Sequence, residues 1–148
     1  MRNLKYESES IQISIYCNII KQILKRHNEL SLCKMLVFSY LIKNDNYLLN
    51  NVYNANSSQD LIYKGLSLLS GNYMGFCESI EYIVKAIHLL KIKNVILVEN
   101  SIIKAISTMD SAKLVYLESA FLEKTIEASK RMTDKQFMKE VMYNVWNK

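Results

Sequence analysis

The residues able to do chemistry are few and scattered. Two histidines, His27 and His88, three cysteines, Cys17, Cys33 and Cys77, and the carboxylate pair Glu78 and Glu81 are the groups to weigh first. His27 follows Lys25-Arg26 at the end of a helical stretch, where an imidazolium would suit the helix dipole. His88 lies near the end of an otherwise apolar helix. Neither has a patterned partner for nucleophilic or metal work, so structural roles are expected for both. Glu78 and Glu81 stand one helical turn apart. Acid–base work at such a pair needs partners that set its ionisation, and no metal-binding spacing surrounds it, so a solvated helix face is expected. The cysteines are odd in number and far apart. With no CxxC pair and no Cys/His cluster, neither a zinc site nor a disulfide frame is supported. Three free thiols suit a reducing cytoplasm. There is no glycine-rich phosphate loop. No catalytic residue, cofactor or metal is therefore expected, and the chain reads as a binding or scaffold protein and not as an enzyme.

The elements that must position these side chains are mostly helical. The 148-residue chain has no proline and only three glycines, so the two strongest breakers of long helices are nearly missing. Half of the residues are hydrophobic, enough for a packed core. At this length one domain is the simplest organisation. Residues 1–9 read as a flexible N-terminal arm, and 10–148 as a single winged-helix-like domain with two C-terminal helices. The first helix is expected from about Ile11 to Arg26, with Tyr16, Ile19, Ile20, Ile23 and Leu24 forming one apolar stripe. Ser31 is a candidate N-cap for a helix over Leu32 to Lys43. That helix is apolar almost all round and is expected to be central and buried. Six asparagines between Asn44 and Asn56 favour turns and mark a long connection, with a short turn of structure at Tyr47 to Val52.

Two further helices follow. One spans about Gln59 to Leu69, with Leu61, Ile62, Leu66 and Leu69 inward and Gly65 weakening it by up to ~1 kcal/mol against alanine. The other spans about Met74 to Leu90, with Phe76, Ile80, Ile83, Val84, Ile87 and Leu90 inward. The period then changes from helical to extended. Asn94 to Val98 and Ile102 to Ile106 form a β-hairpin around Glu99-Asn100-Ser101, because asparagine tolerates a left-handed turn conformation. Val95 and Leu97 alternate with Ile96 and Val98, so both faces of the hairpin are apolar and something should cover the second one. Thr108 or Asp110 caps a long helix to about Arg131, with Leu114, Leu117, Phe121 and Ala128 as its seam. Thr133 and Gln136 match a capping box that opens a last helix, Asp134 to Trp146. The fold class is mainly α with a small β-hairpin, winged-helix-like in order.

Two kinds of partner are open to such a domain. The formal charge of +5 invites nucleic acid, but the basic residues are spread without a block. Only Arg2, Arg26 and Arg131 offer the planar fork that grips phosphate or guanine. The helix in the recognition position presents Glu78 and Glu81 where a DNA reader would place Arg, Lys, Asn or Gln. Lys91, Lys93 and Lys104 flank the hairpin as candidate weak, salt-sensitive phosphate contacts. A winged-helix DNA-binding regulator is thus the alternative reading. Protein partners fit better. Aromatic residues and methionine are enriched where proteins meet, and Phe137, Met138, Met142 and Trp146 share a face of the last helix. With Ile96, Val98 and Ile103 of the hairpin they make the candidate protein interface. No apolar run approaches the ~20 residues that would span a membrane, and Met1 to Glu9 is too polar for a signal peptide. A cytoplasmic protein without a membrane partner is expected.

The chain also resembles a known group, the small middle components of three-component ABC-ATPase systems, the Lamassu-type bacterial anti-phage defences. The resemblance rests on the N-terminal helix leading into Leu30-Ser-Leu-Cys-Lys-Met-Leu-Val-Phe-Ser-Tyr-Leu-Ile-Lys43, on Ser79-Ile-Glu-Tyr-Ile-Val84, and on the hairpin Val95-Ile-Leu-Val-Glu-Asn-Ser-Ile-Ile103. These stretches lie within residues 10–106 and are hydrophobic patterns with no invariant chemistry. The resemblance implies a non-catalytic adaptor. Its protein partners would be a coiled-coil ABC ATPase related to chromosome-maintenance proteins and an effector subunit, often a nuclease. Nucleic acid would then be met indirectly, through the complex. The family has no catalytic motif, so no residue roles carry over.

Overall fold

The computed structural model describes residues 2–44, 58–106 and 120–146. Six helices and three strands stand among them: α1 Arg2–His27, β1 Glu29–Ser31, α2 Leu32–Lys43, α3 Ser58–Leu66, α4 Tyr73–Ile92, β2 Ile96–Glu99, β3 Ile102–Ala105, α5 Ala120–Ser129 and α6 Asp134–Trp146. A turn of 3-10 helix, Ser67–Leu69, extends α3. The fold is mainly α with a small three-stranded antiparallel sheet of order β1-β3-β2. A strand between the first two helices pairs with the second arm of a hairpin that follows a later helix, which is a winged-helix-like arrangement.

Local chemistry sets most of the boundaries. Ser31 caps α2 as expected, its side chain accepting from the Lys34 N–H. Thr133 and Gln136 form the capping box of α6: the Gln136 N–H donates to Thr133 Oγ1 at 3.1 Å and the Thr133 N–H to Gln136 Oε1 at 3.2 Å. Asn28, at φ 69°, ends α1, its N–H donating to the Leu24 carbonyl. Asn94, at φ 58°, ends α4 in a Schellman motif, with Asn94 N–H on Lys91 O and Val95 N–H on Leu90 O. Asn100 and Ser101 both have positive φ, 51° and 63°, and Glu99 pairs directly with Ile102. The hairpin therefore closes on two residues in the turn whose twist suits antiparallel strands. The Ser101 carbonyl accepts from the Leu32 N–H at 2.7 Å, which ties the turn to the start of α2.

Two expectations about the N-terminal region are corrected. Helix α1 begins at Arg2 and not near Ile11, so residues 2–9 of the expected flexible arm are its first turns. No glycine or proline interrupts them, and Lys85 of α4 pairs with Glu9. The strand β1 was not expected at all. Its three residues pair with β3, Leu30 opposite Ile103 and Glu29 opposite Lys104.

The core gathers the α1 stripe, α2 and the inner face of α4. Tyr16, Ile20, Ile23, Met35, Phe38, Ile83 and Leu90 are each 2% exposed or less. Leu30, Ile96 and Ile103 close it from the sheet, and Leu122, Ile126, Phe137 and Val141 from α5 and α6. The C-terminal helices thus pack on this chain's own core. In α4, Val84 departs from its expected inward position: it is 46% exposed, lying off the stripe of Phe76, Ile83, Ala86, Ile87 and Leu90. In α5 the buried side is Leu122, Thr125, Ile126, Ala128 and Ser129. Phe121 is only partly buried, and Leu114 and Leu117 lie outside the described residues, as does Tyr47 to Val52.

Candidate functional surfaces

The hairpin was expected to offer Ile96, Val98 and Ile103 to a partner. It does not. Ile96 and Ile103 are 1% and 0% exposed, and Val98 packs partly buried against the core. The register puts Val98 opposite Ile103, so these residues share the inward face. The other face carries Leu97, exposed, with Glu99, Lys104 and Glu29 around it. β1 adds Glu29 and Ser31 to that face, but Ile102 is partly buried there and Leu97 and Ile106 stay 43% and 53% exposed, so it mixes polar and apolar side chains. Phe137 is corrected in the same way: it is fully buried, with its ring centroid 5.6 Å from that of Phe38. Met138 is partly buried against the core, while Met142 is 46% exposed beside Tyr143 at 66%. The Trp146 side chain lies outside the described residues.

The expected phosphate contacts do not gather into one patch. Lys104 faces Glu29 across the strands, Nζ to Oε2 3.5 Å. Lys91 is exposed at the end of α4. Lys93 joins Lys21 at a shallow groove of about 360 Å³ between α1 and the end of α4, where Ser10, Ser14 and Asn18 also line the wall. Cys17 lies beneath, its thiol pushed up by burial against the opposing pull of Lys21 and Lys93.

The outward side of α4 carries exposed apolar side chains, as α1 does at Leu4, Tyr6 and Ile11. Helical spacing places Met74, Glu78, Glu81, Lys85, His88 and Ile92 on one face, with Val84 at its flank. Met74 is 67% and Ile92 62% exposed. Lys85 bonds to Glu9 of α1 and to Glu81, and the two carboxylates hold its ammonium up to about 12. Glu78 and Glu81 thus form an outward helix face, as the spacing suggested, but Glu81 is bound to a lysine. Met74 and Ile92 escaped the sequence reading because single exposed apolar residues carry no pattern. Their position opposite the Ile83–Leu90 stripe is the signal that identifies them.

His27 has a structural setting that its helix-end position only half disclosed. It is 1% exposed, and its Nδ1 lies 3.0 Å from Glu127 Oε1. Lys130 donates to the His27 carbonyl at 2.5 Å and pairs with Glu127. Arg26 reaches Glu123 one turn earlier. Helix α5 is thereby strapped to the C-terminus of α1, where three basic residues already suit the dipole. Nearby, the buried Lys34 ammonium donates to the Met132 carbonyl at 2.7 Å, and burial pushes its ionisation down while Asp134 pulls it back.

Burial raises the Glu127 carboxyl, but the His27 hydrogen bond and the Lys130 charge outweigh it and hold it below its ordinary value of 4.5. A lowered folded value means that this carboxylate stabilises the fold fully above its unfolded value and loses that contribution as pH falls through the folded one. Glu127→Gln is therefore expected to lower the urea midpoint at neutral pH. The gap to the wild type should narrow as pH falls from above the ordinary 4.5 through the lowered folded value. A gap that stayed constant across that range would show that the carboxylate charge contributes nothing. The side chain is 51% exposed, so the effect is modest.

Among the described residues no three His, Cys, Asp or Glu side chains gather as a metal site. No described helix is long and apolar enough to cross a membrane. Comparison of the chain with protein-family models, with curated proteins and with solved structures found no match.

Proposed function

We propose that this chain is a non-catalytic adaptor subunit. It links a coiled-coil ABC ATPase related to chromosome-maintenance proteins to an effector, often a nuclease, in a bacterial anti-phage defence complex of the Lamassu type. The observation that carries the reading is the outward side of α4. In a winged-helix DNA reader this helix would present Arg, Lys, Asn or Gln to base edges and phosphates. Here it presents Met74, Val84 and Ile92, exposed at 67, 46 and 62%, with Glu78 and Glu81 between them. Lys85, the cation in the middle of that face, is already bound to two carboxylates. Such a surface suits a protein and repels a polyanion. The sequence resemblance supplies the identity of the partners.

The test is co-expression with the products of the neighbouring genes. The chain should co-purify with a large coiled-coil ATPase, and the pair Met74→Asp and Ile92→Asp should release it while leaving the isolated chain's helical circular dichroism unchanged. Both residues are exposed, so the folded state tolerates the charges. A chain that purifies as a stable monomer and ignores the ATPase sinks the adaptor reading. Retention on DNA that falls steeply with added salt would replace it by the DNA-binding regulator, for which the Lys21 and Lys93 groove is the contact to mutate.

A further inference from the structure

A cleft of about 380 Å³ opens between α3, α5 and α6, and no residue of α4 lines it. Its floor is apolar: Ile62 and Ala128 are buried, and Met132 is partly buried. The Tyr63 ring forms one wall, 43% exposed. Arg131 and Lys139 stand at its rim, and the adjoining ledge along α5 adds Lys124. The acidic residues of this ledge are committed elsewhere, Glu123 to Arg26 and Glu127 to His27 and Lys130. Gln136 is held in the capping box. Lys124, Arg131 and Lys139 have no ion pair among the described residues, and Glu140 is the one carboxylate lining the cleft itself.

We infer that this cleft docks an acidic peptide segment of a protein partner. An apolar side chain of the segment sits over Ile62, Ala128 and Met132 beside Tyr63, and its carboxylates meet Arg131 and Lys139. The charge on the rim selects the partner. A guanidinium offers two parallel donors in the geometry of a carboxylate, and the ammonium of Lys139 adds a second cation within the same lining. The apolar floor favours a peptide over a nucleic-acid strand, because a phosphodiester backbone would cover the cations and leave Ile62 and Met132 wet. A cleft of this size with an apolar base and a few convergent polar groups is the usual form of a recognition site, and a buried anchor within a charged rim is how short segments gain specificity. This inference rests on the adaptor reading and gives it a second contact surface, separate from α4.

The experiment uses the full-length chain, isotope-labelled, and three probes: acetyl-Glu-Glu-Leu-Phe-Glu-amide, the same peptide with lysine in place of each glutamate, and a short mixed-sequence single-stranded oligonucleotide. The acidic peptide is expected to shift the Ile62 and Met132 methyl signals and the Arg131 side-chain signal. Its affinity should fall about tenfold in Arg131→Glu, the scale of losing one partly buried charge pair, and again in Lys139→Glu. Arg131 is exposed, and an unchanged melting curve confirms that the variant folds. Equal binding of the lysine peptide, shifts confined to other surfaces, or displacement of the acidic peptide by the oligonucleotide would each overturn the proposal. The same variants in the co-expressed complex separate the two readings. If the complex forms and survives Arg131→Glu while the peptide leaves the cleft unmoved, the cleft fails and the adaptor stands. If the peptide binds the cleft but the chain ignores the ATPase and the effector, the adaptor fails and the cleft stands.

Discussion

Replacing Phe137 by alanine is expected to cost about 3–5 kcal/mol of folding stability, the range for deleting a buried aromatic ring. The residue is fully buried and its ring lies tilted against Phe38 of α2. It is the anchor by which α6 sits on the core, with Val141 and Val145 following one and two turns later. A domain of this size is stable by roughly 5–15 kcal/mol in total, so a large share of the margin rests on one side chain. Urea unfolding of the purified chain measures it. Phe137→Leu should cost less, because it keeps most of the volume. A loss under about 1 kcal/mol for the alanine variant would mean that α6 is not held by its own chain and is free to pack on a partner.

Gly65 gives the second large effect, and its sign is the opposite of what helix propensity alone suggests. Alanine inside a helix is better than glycine by up to ~1 kcal/mol, so an unobstructed Gly65→Ala change would stabilise α3. A Cβ at this position, however, would lie 2.6 Å from Thr125 Cγ2 of α5. Thr125 cannot easily turn away, since it is fully buried and its hydroxyl donates to the Phe121 carbonyl at 2.8 Å. The helices must separate, and overpacking of this kind costs about 1–3 kcal/mol. Thr125→Ser removes the clashing methyl and keeps the hydroxyl. The double variant should therefore recover much of what Gly65→Ala loses, a coupling that independent sites would not show. Stabilisation by Gly65→Ala alone would rule out the close crossing of α3 and α5.

What could be read from the chain in advance follows the range of the interactions involved. The bounds of α2 and α6 were legible because their caps are local: Ser31 bonds to Lys34, and Thr133 to Gln136. The two hairpin strands were legible because the period changed and Asn100 could turn the chain. The strand β1 was not, because three residues carry no periodicity and their partner, β3, follows only after α2, α3, α4 and β2. Glu29 and Ser31 add polar groups to the face of Leu97, while Ile96, Val98 and Ile103, expected at a surface, face the core. Phe137 was misassigned too. An aromatic stripe reads alike whether it meets its own core or another protein, and the sequence cannot say which partner is nearer. Met142 survives as exposed surface, and Val84, Met74 and Ile92 join it only once the buried side of α4 is known.

The pairing of β1 with β3 also has a consequence in time. The hairpin of β2 and β3 joins neighbours in the chain and can close within about 1–10 μs. β1 leaves the ribosome first yet must wait until β3 has been made, and pairing them closes a loop of roughly seventy residues, with the entropy penalty that such a length carries. During synthesis at ≈ 5–20 residues per second that wait lasts several seconds. Through it the apolar side of α1 stands without β3 and α4 to cover it. A nascent chain with this order of assembly exposes the apolar stripe of α1 and the almost wholly apolar α2 early and for longest. Its yield in the cell should depend on chaperones more than its modest size suggests.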